Sequence, residues 1–319
     1  MVSWVRHDDG RQLRLGVLAG AQVALLEGPG DLLRVLDGRA EASAQEALTS
    51  GDRIPLTGLR PAALLETPPS IRDFMSFEQH VHTLRTARGS SVPPLWYEQP
   101  TFYFSNPGAV VGPRADVAVS PGSAQFDYEI EIGAVIGTGG RDIEVGQAAR
   151  HIAGFTLFCD WSARDLQLAE MTVGLGPAKG KDGAISLGPV LVSPDELAGH
   201  LADNGGLLHV TGSVNGIVRT DVQVRAPHWS FDQMVAYASR GTALRPGDVI
   251  GSGTVGTGCL SELRATGGPE STPWLQPGDL VRIEAGPLGV IESRITEPAP
   301  VRDLGPAAGA WFARSAADG

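Results

Sequence analysis

Short apolar runs broken by glycine, proline and asparagine fill most of the chain. Runs of that length between turn residues predict strands. They fall at 102–104, 128–136, 154–159, 190–192, 209–214, 217–220, 249–250 and 280–285. Asn215-Gly216, between two of these runs, signals a hairpin, because its turn needs positive φ. Helical periodicity is rarer and predicts helices at 74–88, 145–149, 163–171, 194–203 and 231–239, the last with Ser230 at its N-cap. Residues 1–65 read as a small unit of their own. Two or three strands turn there at Asp9-Gly10 and Ala19-Gly20, and two short helices end at Gly38 and Gly51. Arg60 to Ser70, with Pro61, Pro68 and Pro69, joins this unit to the rest. The expected fold class is α+β, with a small N-terminal α/β domain over 1–66 and a β-rich mixed domain over 67–319. Neither a βαβ rhythm nor a GxGxxG turn is present, which argues against a dinucleotide-binding fold.

Composition narrows the function. At 319 residues, 42% hydrophobic and 19% charged, the chain has ample material for a core. The net charge is −11 and no basic stripe appears, so no nucleic-acid partner is expected. No apolar run is long enough for a membrane span, and the first residues lack a secretory pattern. Cys159 and Cys259 form neither a disulfide framework nor a zinc spacing, and a cytoplasmic location is expected. Of 25 lysines and arginines, only Lys179 and Lys181 are lysines, and both lie in one short stretch.

Residues 128–136 carry the first chemical signal. On a strand Glu129 and Glu131 share one face, about 7 Å apart, and Tyr128, Ile130 and Ile132 share the other. Paired carboxylates on a buried strand need protons or a cation; on an exposed strand they simply face water. Spacing alone leaves both readings open. The apolar run at 154–159 ends on Asp160, before Trp161-Ser162-Ala163-Arg164-Asp165. Asp160 either caps the following helix or joins the glutamates in an oxygen-rich site for a hard cation.

Taken together, FDYEIEIGAVIG, HIAGFTLFCDWSARDLQ and GLGPAKGKD resemble the fumarylacetoacetate hydrolase family, over roughly residues 70–295. The resemblance implies a β-sandwich or roll, usually a homodimer, that binds Mg²⁺ (or Mn²⁺ or Ca²⁺) and a small oxo-acid substrate. It implies metal ligation by Glu129, Glu131, Asp160 and, seven residues before the family's histidine, Asp73. It assigns His80 as general base, Glu262 as its partner and Lys181 as the active-site lysine. Arg164, Gln167, Tyr103 and Thr254 match substrate-contacting positions. Three features depart from the pattern. Met75 replaces a tyrosine, Arg85 and Arg88 are out of register with a second carboxylate-binding arginine, and Ile185 replaces a threonine. These spare the metal site and argue against fumarylacetoacetate itself as substrate.

The implied activity is a metal-dependent hydrolysis of a carbon–carbon bond in a β-diketo acid, an acylpyruvate or fumarylacetoacetate-like compound, through a metal-stabilised enolate. A histidine held by a carboxylate suits water activation near neutral pH. Two other reactions fit the same site: isomerisation of an unsaturated oxo-diacid and decarboxylation of a 2-oxo-diacid. A metal-binding protein without turnover is the reading from another class. Retention of His80 and Glu262 favours hydrolysis over isomerisation, which needs no activated water. Residues 80–89 are expected to form a helical lid. Cys159 and Trp161 are expected in the core, and His82 and Glu170 at the surface.

Overall fold

The computed structural model describes residues 2–36 and 38–307; 308–319, the end of the expected second domain, lie outside the described residues. The N-terminal strands are β1 (Trp4–Asp8), β2 (Leu13–Ala19), β3 (Gln22–Leu25) and β4 (Asp52–Pro55), with α1 (Ala40–Ser50) before β4. Next come β5 (Ile71–Phe74), α2 (Glu78–Ala87), α3 (Pro94–Glu98), β6 (Phe102–Ser105), β7 (Val110–Val111) and β8 (Val117–Ala118). The long strands β9 (Phe126–Ile136) and β11 (Ile152–Ala163) flank a short β10 (Gly140–Arg141). They lead into α4 (Arg164–Met171), β12 (Ile185–Leu187), β13 (Val190–Leu191) and α5 (Pro194–Asp203). The hairpin β14 (Leu208–Val214) and β15 (Ile217–Val224) turns at Asn215-Gly216. The remainder is α6 (Phe231–Ala238), β16 (Ala243–Leu244), β17 (Val249–Gly251), α7 (Leu260–Gly267), β18 (Leu280–Ala285) and β19 (Val290–Thr296).

A seven-stranded sheet, ordered β6-β5-β17-β9-β11-β12-β7, organises this mixed α+β, strand-rich fold. Every residue of β9 is buried. One face of β9 and β11 presents Tyr128, Ile130, Ile132, Cys159 and Trp161 to a core shared with Val210, Ile283 and Ile291. Those last three belong to the five-stranded sheet β15-β14-β18-β19-β8. The opposite face of β9 is therefore where Glu129 and Glu131 must go. The N-terminal sheet is ordered β13-β1-β2-β3-β4, so its edge strand comes from far down the chain, with Trp4 opposite Leu191 and Val5 opposite Val190. Trp4, Leu15 and Val17 share one cluster with Val135, Phe158 and Ile185.

The structure redraws several elements. The expected helix at 74–88 begins only at Glu78, as α2, and Phe74 ends the strand β5, so Asp73 lies on a strand and His80 on a helix. The expected helices at 31–38 and 145–149 are 3-10 turns, at Leu32–Arg34 and Val145–His151. The strand β19 shows the period-two burial of a half-buried strand, although it fell outside the expected set. The helix α7 was also missed. Its N-cap residue, Cys259, makes no side-chain cap, so the local start signal is missing.

Trp161 is fully buried, lies nearly parallel to Phe126 at 6.2 Å between ring centroids, and donates its indole N–H to Ser186 Oγ at 2.9 Å. Trp161→Ala should therefore lower unfolding free energy by about 3–5 kcal/mol, read as a lower urea midpoint at unchanged slope.

Candidate active site

Strand register assembles the site from segments far apart in sequence. Tyr103 on β6 lies opposite Asp73 on β5, and Asp73 lies opposite Gly251 on β17. Gly251 in turn lies opposite Gly133 on β9, and Glu129 lies opposite Asp160 on β11. The missing side chain at Gly251 is essential to this row. A Cβ there would sit 2.6 Å from Asp73 Oδ1 and 3.2 Å from Glu131 Oε2. The strand between the two acids thus leaves the space in which their carboxylates converge. Gly253 follows at φ +78°, and its N–H donates to Glu131 Oε2 at 3.0 Å.

Asp73, Glu131 and Asp160 are buried, and a carboxylate oxygen of each lies within 4.8 Å of the others. Asp73 Oδ1 and Asp160 Oδ1 have no hydrogen-bond partner. Burial pushes the Asp73 carboxyl up to about 7, and the Asp160 charge adds to the effect. Burial, then Asp73, raises Glu131 well above the usual carboxylate range. Burial raises Asp160 as well, against the opposing charge of Lys181. Hard oxygen donors that crowd and repel one another, two of them without a hydrogen-bond partner, fit a divalent cation such as Mg²⁺ or Mn²⁺. Tyr103 hydroxyl bridges the group, lying 2.9 Å from Asp73 Oδ2 and in a short contact with Asp160 Oδ2. It bonds to the carboxylates that the sequence reading gave to a metal, although that reading placed Tyr103 against substrate.

Glu129 is compensated differently. Arg164 Nη2 lies 2.8 Å from Glu129 Oε1, and Lys181 Nζ is bonded to Glu129 Oε2. Burial alone would raise Glu129, but the Arg164 and Lys181 charges outweigh it and hold the carboxylate ionised. Lys181 Nζ also donates to Asp160 Oδ2 at 2.6 Å and Ser162 Oγ at 2.7 Å, which occupies all three of its protons. Burial disfavours its charge, but Asp160 and Glu129 more than offset this, and the ammonium stays protonated. The spacing had put Glu129 and Glu131 on one face, as they are, yet only Glu131 converges with Asp73 and Asp160.

The helix α2 packs against α7 over this floor. His80 Nδ1 lies 2.9 Å from Glu262 Oε2, and both residues are buried. A carboxylate only accepts, so Nδ1 carries a proton in this contact. Nε2 is 3.9 Å from Glu129 Oε1. Cys259 Sγ also lies 3.7 Å from Glu262 Oε2. A cavity of about 210 Å³ joins these groups; Arg164, Gln167, Lys181, Thr254 and Tyr103 line it beside Asp73, Glu129, Glu131 and His80. One face of α2 supplies Val81, Leu84 and Arg85, with Arg88 just past its end.

Two supporting acids were not read as such. Glu170, expected at the surface, accepts from the backbone N–H groups of Ala178 (3.0 Å), Lys179 (2.7 Å) and Gly180 (3.1 Å). It thereby ties down the turn that delivers Lys181. Asp127 was not singled out at all, although it heads the same alternating run as Glu129 and Glu131.

An acid-floored cavity beneath a His–Glu pair, on a mixed α+β fold, defines a class of protein. The chain belongs to the fumarylacetoacetate hydrolase family, whose C-terminal domain model matches residues 70–296. The human mitochondrial oxaloacetate tautomerase FAHD2A is 31% identical over 199 residues, which is 62% of this chain and 59% of that protein. Fumarylacetoacetase of Arabidopsis thaliana is 29% identical over 253 residues, covering 63% of this chain and 60% of its own. The chain thus matches about three-fifths of the length of these curated relatives. A solved structure of a probable 2-hydroxyhepta-2,4-diene-1,7-dioate isomerase from Mycobacterium abscessus superposes with TM-score 0.72 at 25% identity. That match covers 94% of this chain and 100% of the other. Among the described residues no helix is long and apolar enough to cross a membrane.

Two predictions follow from the crowded acids. Gly251→Ala should weaken Mg²⁺ or Mn²⁺ binding at least about tenfold by calorimetry, without loss of far-ultraviolet ellipticity. In chelator, the raised Asp73 pKa favours folding while the group is protonated, and this stabilisation is lost as pH rises through about 7. The melting temperature of the metal-free protein should therefore be lower at about pH 8 than at about pH 6, and saturating Mg²⁺ should shrink the difference.

Proposed function

We propose that the protein is a metal-dependent hydrolase that cleaves a carbon–carbon bond of a β-diketo acid of the acylpyruvate type. The observation that carries this reading is the 2.9 Å His80–Glu262 pair, whose His80 lines the same cavity as Asp73 and Glu131, with Asp160 grouped beside those two acids. A divalent cation held by those three acids would act as the Lewis acid for the dicarbonyl oxygens and offset the charge of the departing carbanion. His80 Nε2 takes a proton from water, and Glu262 keeps the ring in that tautomer. The water oxygen adds to the distal carbonyl, the carbon–carbon bond breaks, and the released pyruvate carbon takes up a proton. The buried Lys181 and Arg164 charges keep Glu129 ionised near His80, while Gln167, Thr254 and Tyr103 line the space for the substrate. Met75, Leu84, Phe102 and Met171 add apolar surface to that wall, beside Arg85 and Arg88.

A second reading is proton transfer only: tautomerisation or isomerisation of an oxo-acid. The names of the human relative and the mycobacterial structure favour it. It needs the carboxylate floor but no activated water.

The test is a screen of acylpyruvates, oxaloacetate and unsaturated oxo-diacids with Mg²⁺, in which acid plus pyruvate should form from the acylpyruvates. His80→Ala should lower that hydrolysis by about 10²–10⁴-fold. Isomerised or decarboxylated products alone, or hydrolysis undiminished in His80→Ala, would overturn the reading.

A further inference from the structure

Asp127 is fully buried, and no step of the proposed chemistry uses it. It lies two residues before Glu129 on the same face of β9. Its Oδ1 accepts from the backbone N–H of Tyr128 at 2.8 Å and of Leu260 at 2.8 Å. Its Oδ2 accepts from Ser261 N–H at 3.0 Å, Arg164 Nε at 2.9 Å and Arg164 Nη2 at 2.8 Å. A carboxylate offers about four lone-pair directions, so Asp127 has none left for substrate, water or metal. That excludes it as a ligand or a base and leaves what it holds.

It holds two things. The first is Arg164. Bonds to Nε and Nη2 fix the guanidinium plane and direct Nη1 toward Gln167 Oε1, 3.4 Å away on the cavity wall. The second is the start of α7. The first N–H groups of a helix have no partner within it. Cys259 supplies no side-chain cap, and Asp127 reaches across from the sheet to supply it. Glu262, the next residue after Ser261, bonds to His80.

We infer that Asp127 is a positioning residue whose single carboxylate fixes Arg164 and the Glu262–His80 pair relative to one another. The effect on turnover rests on the hydrolase reading; the effect on anion binding does not.

The test uses the full chain loaded with Mg²⁺, with oxalate as an unreactive chelating anion. Asp127→Asn keeps an acceptor for α7 but turns an amide toward Arg164. Mg²⁺ affinity should stay within about twofold, oxalate affinity should fall about tenfold or more, and kcat on the acylpyruvate found in the screen should fall as well. A merely structural role would lower the melting temperature but leave these two constants unchanged in the folded fraction. Coupling makes the distinction sharper. Asp127→Asn should weaken oxalate by less than about twofold when added to Arg164→Met, and lower kcat by less than about twofold when added to Glu262→Gln. Additive losses in both pairs, or parental constants in folded Asp127→Asn, would overturn the inference. If Asp127→Asn does not fold, Ser261→Pro removes one α7 donor at a first-turn position that accepts proline. It should lower kcat at parental oxalate affinity, and parental kcat would overturn the α7 arm. If the parental chain hydrolyses no acylpyruvate, the hydrolase reading fails, and the oxalate measurements alone decide on Asp127.

Discussion

Buried negative charge is the constraint on which the rest of the structure depends. Asp73, Asp127, Glu129, Glu131 and Asp160 lie on one face of a single sheet, all out of water, with Lys181 and Arg164 as the buried cations beside them. Burial of an unpaired carboxylate is among the costliest arrangements a fold can contain. The protein divides the problem in space. Asp127 and Glu129 are matched by Arg164 and Lys181. Asp73 and Glu131 are not, and Asp160 is matched only in part, so these three either hold protons or hold a cation. Burial raises the carboxyls of those three and of Asp127, and of the five only Glu129 is held down, by the Arg164 and Lys181 charges.

The fold serves this arrangement by burying the long strands β9 and β11 on both faces. One face is filled by aromatic and branched residues against the second sheet, so the acids have only the other face to occupy. A glycine on the intervening strand β17 then lets acids from two different strands meet. The His80–Glu262 pair is built separately, on helices that pack over the sheet, and is tied to it through Asp127. The His–Glu pair and the carboxylate cluster therefore come from different layers, joined by one buried carboxylate.

Much of this was legible in the sequence. Alternation in 128–136 placed Glu129 and Glu131 together, and motif order placed Asp160, Lys181 and the α+β fold. What alternation could not show was which carboxylate meets which partner, because that depends on rotamers and on Gly251, a residue with no side chain to read. The strand at Asp73 was not expected because four residues are too short to show a period. The helix at Glu262 was invisible because its cap lies in β9, far away in sequence. Glu170 is a partly exposed charge, but its tie to the turn before Lys181 could not be read because its partners are backbone N–H groups, which carry no sequence signature. Each miss is a tertiary interaction overriding, or standing in for, a local signal.

The central proposal is that Asp73, Glu131 and Asp160 form the charge-deficient centre. Anomalous scattering from crystals grown with Mn²⁺ tests it directly. The account predicts a manganese peak among those three carboxylates, with Glu129 still paired to Arg164 and Lys181. No peak there, or an ion in the His80, Cys259 and Glu262 cluster instead, would contradict it.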